Sequence, residues 1–178
     1  MKLNFALLLL IVLFSFSLLK ANTLEKNQSI YLIRHALAPG NGDPINFDLL
    51  DCSTQRNLND VGILQSKEIG QFFSKNNITI DDVYSSQWCR CKDTASYAFN
   101  NFKELSFLNS FYSYPFNLNK DEQMRDLRNY ILDLEYKNNI VFVTHYVVIA
   151  DLVNYHPKSG EIIQIDKDLN IINTYLIN

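Results

Sequence analysis

Two uninterrupted apolar runs stand out along the chain, and each ends in a histidine. The first is residues 29–35 (SIYLIRH) and the second is residues 139–145 (NIVFVTH). A continuous apolar run of this length is typical of a strand that is covered on both faces. The pattern therefore predicts two central strands, with His35 and His145 at their carboxyl ends.

A different apolar spacing follows the first run. Within residues 59–74, apolar side chains recur every three or four positions, which predicts an amphipathic helix with Asn59 or Asp60 as its N-cap. We expect one face of this helix to pack against the rest of the domain. The apolar residues of that face are Val61, Leu64, Ile69, Phe72 and Phe73.

The remaining pattern alternates short strands with helices. Residues 82–86, 161–165 and 171–177 predict strands, whereas residues 87–99 and 121–135 predict helices. Such alternation favours one α/β domain. We expect a three-layer α/β/α fold with a mostly parallel central sheet.

The N-terminus differs from the rest of the chain. An uncharged apolar run, residues 5–19, follows a single lysine and precedes Lys20 and Ala21. This order is typical of a secretory signal peptide with cleavage near Ala21. An uncleaved membrane anchor is the alternative, because the run approaches the roughly 20 residues that span a bilayer. We expect residues 1–21 to direct export, to the periplasm or out of the cell, and residues 22–178 to form a single domain.

Composition and charge narrow the classes of function. The chain is 47% hydrophobic and 20% charged, which is a globular composition. Its formal net charge is -3, so no overall positive field attracts nucleic acid or an anionic membrane surface. We therefore expect no nucleic-acid partner, and membrane contact only through the N-terminal segment if that segment stays attached.

The chain has three cysteines, so one thiol is left over if a disulfide forms. In an exported protein a disulfide persists. We expect Cys52 to pair with either Cys89 or Cys91, and the third thiol to be buried. A zinc site is the alternative, but a Cys-Arg-Cys segment with three histidines in the chain matches metal-ligand spacing poorly.

The predicted strand ends indicate where a ligand binds. In open α/β sheets, ligands bind beyond the carboxyl ends of the strands. His35 follows Arg34 at one such end, His145 lies at another, and Arg90 comes shortly after a third. We expect these four side chains to surround one anion.

The chemistry of these side chains favours a phosphoryl group. A neutral imidazole is a competent nucleophile, and guanidinium groups match phosphate oxygens bidentately. We predict that His35 attacks phosphorus to form a phosphohistidine, that Arg34 and Arg90 bind the phosphate, and that His145 stabilises the developing charge. Because these residues supply the positive charge, no metal or other cofactor is expected.

The motifs resemble those of the histidine phosphatases, also called the phosphoglycerate mutase-like superfamily. The similar segments are LIRHALAPGN (32–41), RNLNDVGILQSKEIG (56–70), VYSSQWCRCKDTA (83–95) and VFVTHYVVIADLV (141–153). The resemblance implies the superfamily's fold and catalytic roles for Arg34, His35, Arg90 and His145. It also implies that Asn41 and Arg56 contact phosphate or substrate.

The proton donor departs from the pattern of this family. Many members carry an acid in a Leu-Asn-Glu segment where this chain has Ser110, and another branch has an Asp after the second histidine where this chain has Tyr146. Asp121 and Glu122 are candidate substitutes, since a general acid need only reach the leaving oxygen. Alternatively, they are ordinary acidic residues that favour a helix N-terminus.

Three functions are compatible with these residues. The first is an exported phosphatase that acts on a small-molecule or sugar phosphate monoester, as in exported members of the family that dephosphorylate envelope sugars. The second is a module that binds phosphate esters but lacks the acid to hydrolyse them. The third is a phosphomutase, which needs a closed site, whereas the short segment 101–119 predicts an open one.

Overall fold

The computed structural model describes residues 28–177. The predicted signal segment, residues 1–21, lies outside these residues. Between residues 28 and 177, no helix is both long and apolar enough to cross a membrane.

Within residues 28–177, six strands and four α-helices follow one another, with bounds close to those predicted. The strands are β1 (Ser29–Arg34), β2 (Asp82–Ser85), β3 (Lys103–Glu104), β4 (Asn139–Thr144), β5 (Ile162–Ile165) and β6 (Ile171–Tyr175). The helices are α1 (Asp60–Lys75), α2 (Cys89–Phe99), α3 (Lys120–Asp133) and α4 (Tyr146–Val153). The short strand β3 and the helix α4 were not predicted from the apolar pattern.

The strands form one mixed sheet in the order β3-β2-β4-β1-β5-β6. Strands β3, β2, β4 and β1 run parallel to one another, whereas β5 is antiparallel to β1, and β6 is antiparallel to β5. The prediction of a mostly parallel sheet is therefore confirmed, since three of the five strand pairings are parallel and the two antiparallel pairings involve β5. A short turn joins β5 to β6, and a connection of that length allows only antiparallel pairing.

Helices cover both faces of the sheet, as the three-layer prediction requires. Alternate residues of β1 point to opposite faces, so that Ile30 and Leu32 enter one core and Tyr31 and Ile33 enter the other. The first core contains residues of α3 and α4, and the second contains residues of α1 and α2. This double burial explains why β1 and β4 are apolar throughout.

The pairing of β1 with β4 brings the two histidines to one edge of the sheet. Arg34 is in register with Thr144, the last residue of β4. The backbone N–H of His35 donates to the carbonyl of Thr144 at 2.9 Å. His35 and His145 therefore leave the sheet side by side, although they lie far apart in sequence.

Helix α1 buries Ile69 and Phe73 as predicted but exposes two other residues of the predicted face. Asn59 is its N-cap and accepts a hydrogen bond from the N–H of Gly62. Val61 and Leu64 were predicted to be buried, but they are 57% and 60% exposed. The buried residues of α1 are Gly62, Ser66, Ile69 and Phe73.

Small residues in α1 explain why Gly62 and Ser66 are buried while Val61 and Leu64 are exposed. A Cβ atom on Gly62 would overlap the carbonyl oxygen of Leu37, so the helix contacts the backbone just after His35 at close range. The hydroxyl of Ser66 is satisfied within the helix by the carbonyl of Gly62 at 2.7 Å. The small side chains of Gly62 and Ser66 therefore determine which face of α1 packs near the site. The spacing of apolar residues in the sequence does not show this.

A disulfide joins Cys52 to Cys89, across a sequence separation of 37 residues. Of the two pairings left open by the sequence, this one is formed, and Cys91 is a buried free thiol. The disulfide attaches the loop after β1 to the first residue of α2. Since Arg90 is the next residue, the disulfide lies directly beside one of the predicted site residues.

Candidate active site

A cavity of about 670 Å³ opens at the carboxyl ends of β1 and β4, and we call it the His35 cavity. It lies where the topology of an α/β sheet places ligands. All the residues predicted to be catalytic or phosphate-binding line it. They are Arg34, His35, Asn41, Arg56, Arg90 and His145.

The two histidines face each other at the bottom of the cavity. Their ring centroids are 5.5 Å apart with an interplanar angle of 68°, and each residue is 3% exposed. Burial, together with the positive charge of Arg90, lowers the pKa of both rings well below 6.5. Both imidazoles are therefore neutral at pH 7.

The hydrogen bond of His35 determines which nitrogen is free to react. Its Nδ1 lies 2.8 Å from the carbonyl oxygen of Ala36. A carbonyl oxygen only accepts hydrogen bonds, so Nδ1 carries the proton. In the neutral ring, Nε2 is left with an unshared electron pair, as a nucleophile requires.

The neighbours of His145 impose the opposite tautomer. Nη2 of Arg90 is 3.4 Å from Nδ1 of His145, and a guanidinium only donates. Nδ1 therefore accepts, and Nε2 donates to the hydroxyl of Ser86 at 2.9 Å. The Ser86 hydroxyl in turn donates to Oδ1 of Asn109 at 3.0 Å. This chain fixes the ring of His145 beside Arg90.

The neutral state of these rings predicts how stability depends on pH. The folded-state pKa values lie below 6.5, so the unfolded chain binds more protons in acid, and stability is lost as pH falls below about 6.5. Between pH 7.5 and 5.5 we expect the free energy of unfolding to fall by roughly 1 kcal/mol for each ring.

Urea unfolding at the two pH values measures this loss of stability. A His35→Gln variant is expected to lose about half of the pH dependence. His156→Gln removes an exposed histidine and serves as the matched control, which should keep the full dependence. An equal pH dependence in wild type and His35→Gln would contradict the assignment of a neutral buried ring.

Three arginines surround the histidines. Arg34 donates through Nη1 to the carbonyl of Pro157 at 2.8 Å, which holds its guanidinium at the edge of the cavity. Arg56 donates through Nε to the carbonyl of Gly42 at 2.8 Å and through Nη1 to that of Ala38. Each arginine therefore keeps its charge at the cavity while the backbone of a neighbouring loop fixes its direction.

Asp43 is a residue of the site that the sequence analysis missed. Its carboxylate accepts from both Nη atoms of Arg90, at 2.8 and 3.2 Å. It also accepts from the N–H of Arg56 and the indole N–H of Trp88, both at 3.1 Å. Burial raises the pKa of Asp43, but these hydrogen bonds and the charge of Arg90 outweigh burial and bring the pKa below its usual value. The carboxylate is therefore ionised.

Comparison with known families and structures agrees with this fold. A family model described as the histidine phosphatase superfamily (branch 1) matches residues 30–107, which include β1, α1, β2 and α2. SixA from Agrobacterium tumefaciens has the same fold, with a TM-score of 0.60 and 16% identity over 85% of this chain and 98% of its own. The matched segment is less than half of the chain, and the chain therefore resembles the histidine phosphatase superfamily in this segment and in its fold.

Two further structures of this fold hold ligands. The protein histidine phosphatase SixA in complex with tungstate has a TM-score of 0.51 and 14% identity, over 82% of this chain and 95% of its own. A phosphoserine phosphatase variant from Entamoeba histolytica in complex with phosphoserine has a TM-score of 0.54 and 18% identity, over 78% of this chain and 90% of its own. No curated protein matches the chain in sequence.

The two acidic residues considered as proton donors lie outside the cavity. Asp121 and Glu122 are exposed in the first turn of α3, and neither lines the His35 cavity. The structure therefore contradicts their assignment as proton donors. Helix α3 turns Met124 and Leu127 toward the sheet, so its acidic first turn is left in solvent, where it favours the helix dipole.

A sequence signal for Asp43 existed but was ambiguous. Asp43 lies two residues after Asn41, in the loop that begins with the Arg-His motif, so proximity to the site was predictable. Its pairing with Arg90 was not predictable, because 47 positions separate the two residues. Ser110, which stands where many family members carry an acid, does line the cavity.

Proposed function

We propose that the protein is a phosphatase that hydrolyses phosphate monoesters through a phosphohistidine at His35, without a metal ion. The observation that carries this proposal is the neutral ring of His35. Its Nδ1 is committed to the Ala36 carbonyl, and its Nε2 remains available beside three arginines. The fold of the superfamily supports the same reaction class.

In the first step, the electron pair on Nε2 of His35 attacks phosphorus, and the bond from phosphorus to the ester oxygen breaks. The leaving oxygen takes the electron pair of that bond. Arg34 and Arg90 face the nonbridging oxygens, whose charge they balance. The proton on Nδ1 of His35 stays hydrogen-bonded to Ala36, so the phosphorylated ring keeps its orientation.

His145 lines the same cavity as His35, and its role in the proposed reaction is to contact the transferring group from the side. Arg90 already faces its Nδ1, and the Ser86 hydroxyl holds its Nε2. A doubly charged phosphate next to Nδ1 raises the proton affinity of this ring. We infer that phosphate binding is accompanied by proton uptake on His145, which then donates to an equatorial oxygen.

In the second step, water attacks the phosphohistidine and the bond from nitrogen to phosphorus breaks. The electron pair returns to Nε2 of His35. The protons of the attacking water leave with the phosphate as dihydrogen phosphate, which equilibrates with solvent. Two successive attacks from opposite sides give net retention of configuration at phosphorus.

A second candidate function is a phosphate-ester-binding module with little catalysis. One observation favours it: Asp43 occupies both Nη atoms of Arg90, which a phosphate would otherwise use. A phosphomutase is less well supported. The cationic residues that line the cavity within residues 28–177 are the three arginines at its base, so its outer part offers no charge for a second phosphate.

The deciding experiment is hydrolysis of p-nitrophenyl phosphate by purified protein in the presence of a metal chelator. A phosphatase of this type releases phosphate and carries an acid-labile, base-stable phosphoryl group on the peptide that contains His35. Mass spectrometry of protein quenched in base detects that group. If vanadate raises the melting temperature but no hydrolysis occurs, the protein is a binding module and the proposed reaction is wrong.

We also propose that the protein is exported. The apolar N-terminal run and the disulfide between Cys52 and Cys89 support this, because disulfides persist in oxidising compartments. Expression of the full chain followed by cell fractionation and intact-mass analysis tests it. We expect a mature protein that begins near Asn22 in the exported fraction, and full-length protein in the cytosol would contradict export.

A further inference from the structure

The charged groups of the His35 cavity are concentrated at its base. Arg34, Arg56 and Arg90 surround the histidines, and Asp43 is the sole carboxylate among the described residues that line the cavity. The outer wall is made of uncharged residues. A ligand that carries charge only on its phosphate therefore fits this cavity better than one with a second charged group.

Asp43 is poorly suited to protonate a leaving group. Its carboxylate accepts four hydrogen bonds, two of them from Arg90, and these hold it in the ionised state. Nε2 of His145 already donates to Ser86, and the proton that its Nδ1 takes up with phosphate is committed to an equatorial oxygen rather than to the leaving oxygen. The other proton donors on the wall are hydroxyls of serine and tyrosine, which are far weaker acids than a carboxylic acid. The described cavity thus lacks an effective general acid.

Aromatic rings form much of the uncharged wall. Phe47 stacks on Trp88 at 5.1 Å, and Phe116 meets Trp88 edge-on at 5.0 Å. Trp88 in turn contacts the ring of His145, with centroids 5.4 Å apart. At the mouth of the cavity, Tyr112 is 66% exposed, so an apolar surface continues from the reacting centre to solvent.

We propose that the His35 cavity selects phosphate monoesters of phenols, which combine an aromatic ring with an oxygen that leaves without a proton from the protein. This inference rests on the proposed function and specifies its substrate class. A ring bound against Phe116 and Tyr112 gains aromatic contacts, while Trp88, which is 1% exposed, supports Phe116 from within the core. A phenolate is a stable leaving group, since the pKa of a phenol is about 10.

The transfer step is balanced without a general acid. The bond between phosphorus and the phenolic oxygen breaks, and the oxygen keeps the electron pair and leaves as phenolate. Nε2 of His35 forms the new bond to phosphorus. The phenolate takes its proton from water at the mouth of the cavity, and water then hydrolyses the phosphohistidine.

The first test measures the effect of the leaving group while the aromatic ring is kept. Phenyl phosphate and benzyl phosphate both carry an aromatic ring, but benzyl alcohol is a far poorer leaving group than phenol. Without a general acid, which contributes about 10²-fold or more to such reactions, kcat/KM for phenyl phosphate should exceed that for benzyl phosphate at least about 100-fold. Values within tenfold of each other would show that a proton donor operates and would overturn the inference.

The second test measures the contribution of the aromatic ring to binding, independently of the leaving group. Acetyl phosphate has a good leaving group and no aromatic ring. Tyr112→Ala is expected to lower kcat/KM for phenyl phosphate about fivefold through KM, as loss of one aromatic contact predicts. Its kcat/KM for acetyl phosphate should stay within twofold of wild type. Tyr97→Ala, which removes an exposed tyrosine of α2 outside the cavity, is the matched control for both substrates.

The third test concerns Asp43 itself. If Asp43 donates no proton, Asp43→Asn changes kcat/KM for p-nitrophenyl phosphate and for phenyl phosphate by the same factor, within about threefold. A loss confined to phenyl phosphate, the poorer leaving group, would make Asp43 the acid and refute the inference. If p-nitrophenyl phosphate is hydrolysed but the phenyl and benzyl esters react at similar rates, the proposed phosphatase activity is correct and the proposed substrate class is wrong. No hydrolysis of any ester would refute both.

Discussion

His35→Ala is expected to lower hydrolysis of p-nitrophenyl phosphate by about three orders of magnitude or more, because it removes the atom that carries the phosphoryl group. The arginines and His145 remain, so the variant should still bind an oxyanion. A vanadate-induced rise in melting temperature would show that the cavity persists. The measurement is initial rate at saturating substrate, alongside that melting curve.

His156→Ala is the matched control for this substitution. His156 is an exposed histidine that stacks on Tyr146, and it does not line the His35 cavity. We expect its turnover to stay within about threefold of wild type. A His35→Ala protein that is folded and retains a tenth of the wild-type rate would rule out a phosphohistidine at this position.

Removal of the disulfide is expected to produce the largest change in stability. In the double variant Cys52→Ala and Cys89→Ala, the unfolded chain regains the freedom of a loop closed across 37 positions. The chain-entropy model gives a loss of about 4 kcal/mol in the free energy of unfolding, which is a large fraction of the stability of a domain this size. Chemical denaturation at pH 7.5 measures it.

Reduction of the wild-type protein is the internal control for the effect of the disulfide on stability. Dithiothreitol should shift the unfolding midpoint of the wild type toward that of the double variant and leave the double variant unchanged. Equal midpoints for oxidised wild type and the double variant would contradict a stabilising role. Since Cys89 precedes Arg90, we also expect the variant to bind vanadate more weakly, because the start of α2 is then less constrained.

The two histidines were predictable from sequence because each follows an apolar run of strand length. Burial on both faces makes such a run conspicuous, and topology places the ends of parallel strands together. The same reasoning failed for Val61 and Leu64, which are exposed. Where a helix approaches backbone closely, small residues such as Gly62 face inward, so the apolar spacing is misleading in the first turns of α1 although it is correct for Ile69 and Phe73.

The sequence by itself determined the order of five strands and three helices, the identity of the two histidines and two of the arginines, and the choice of Cys52 as a disulfide partner. These follow from local periodicity and from residue chemistry. Only the tertiary structure decided the pairing of Asp43 with Arg90 and the position of Asp121 and Glu122 outside the cavity. It also decided the tautomers of His35 and His145. These depend on contacts between residues far apart in sequence, whose geometry exists only once the sheet and its loops are folded.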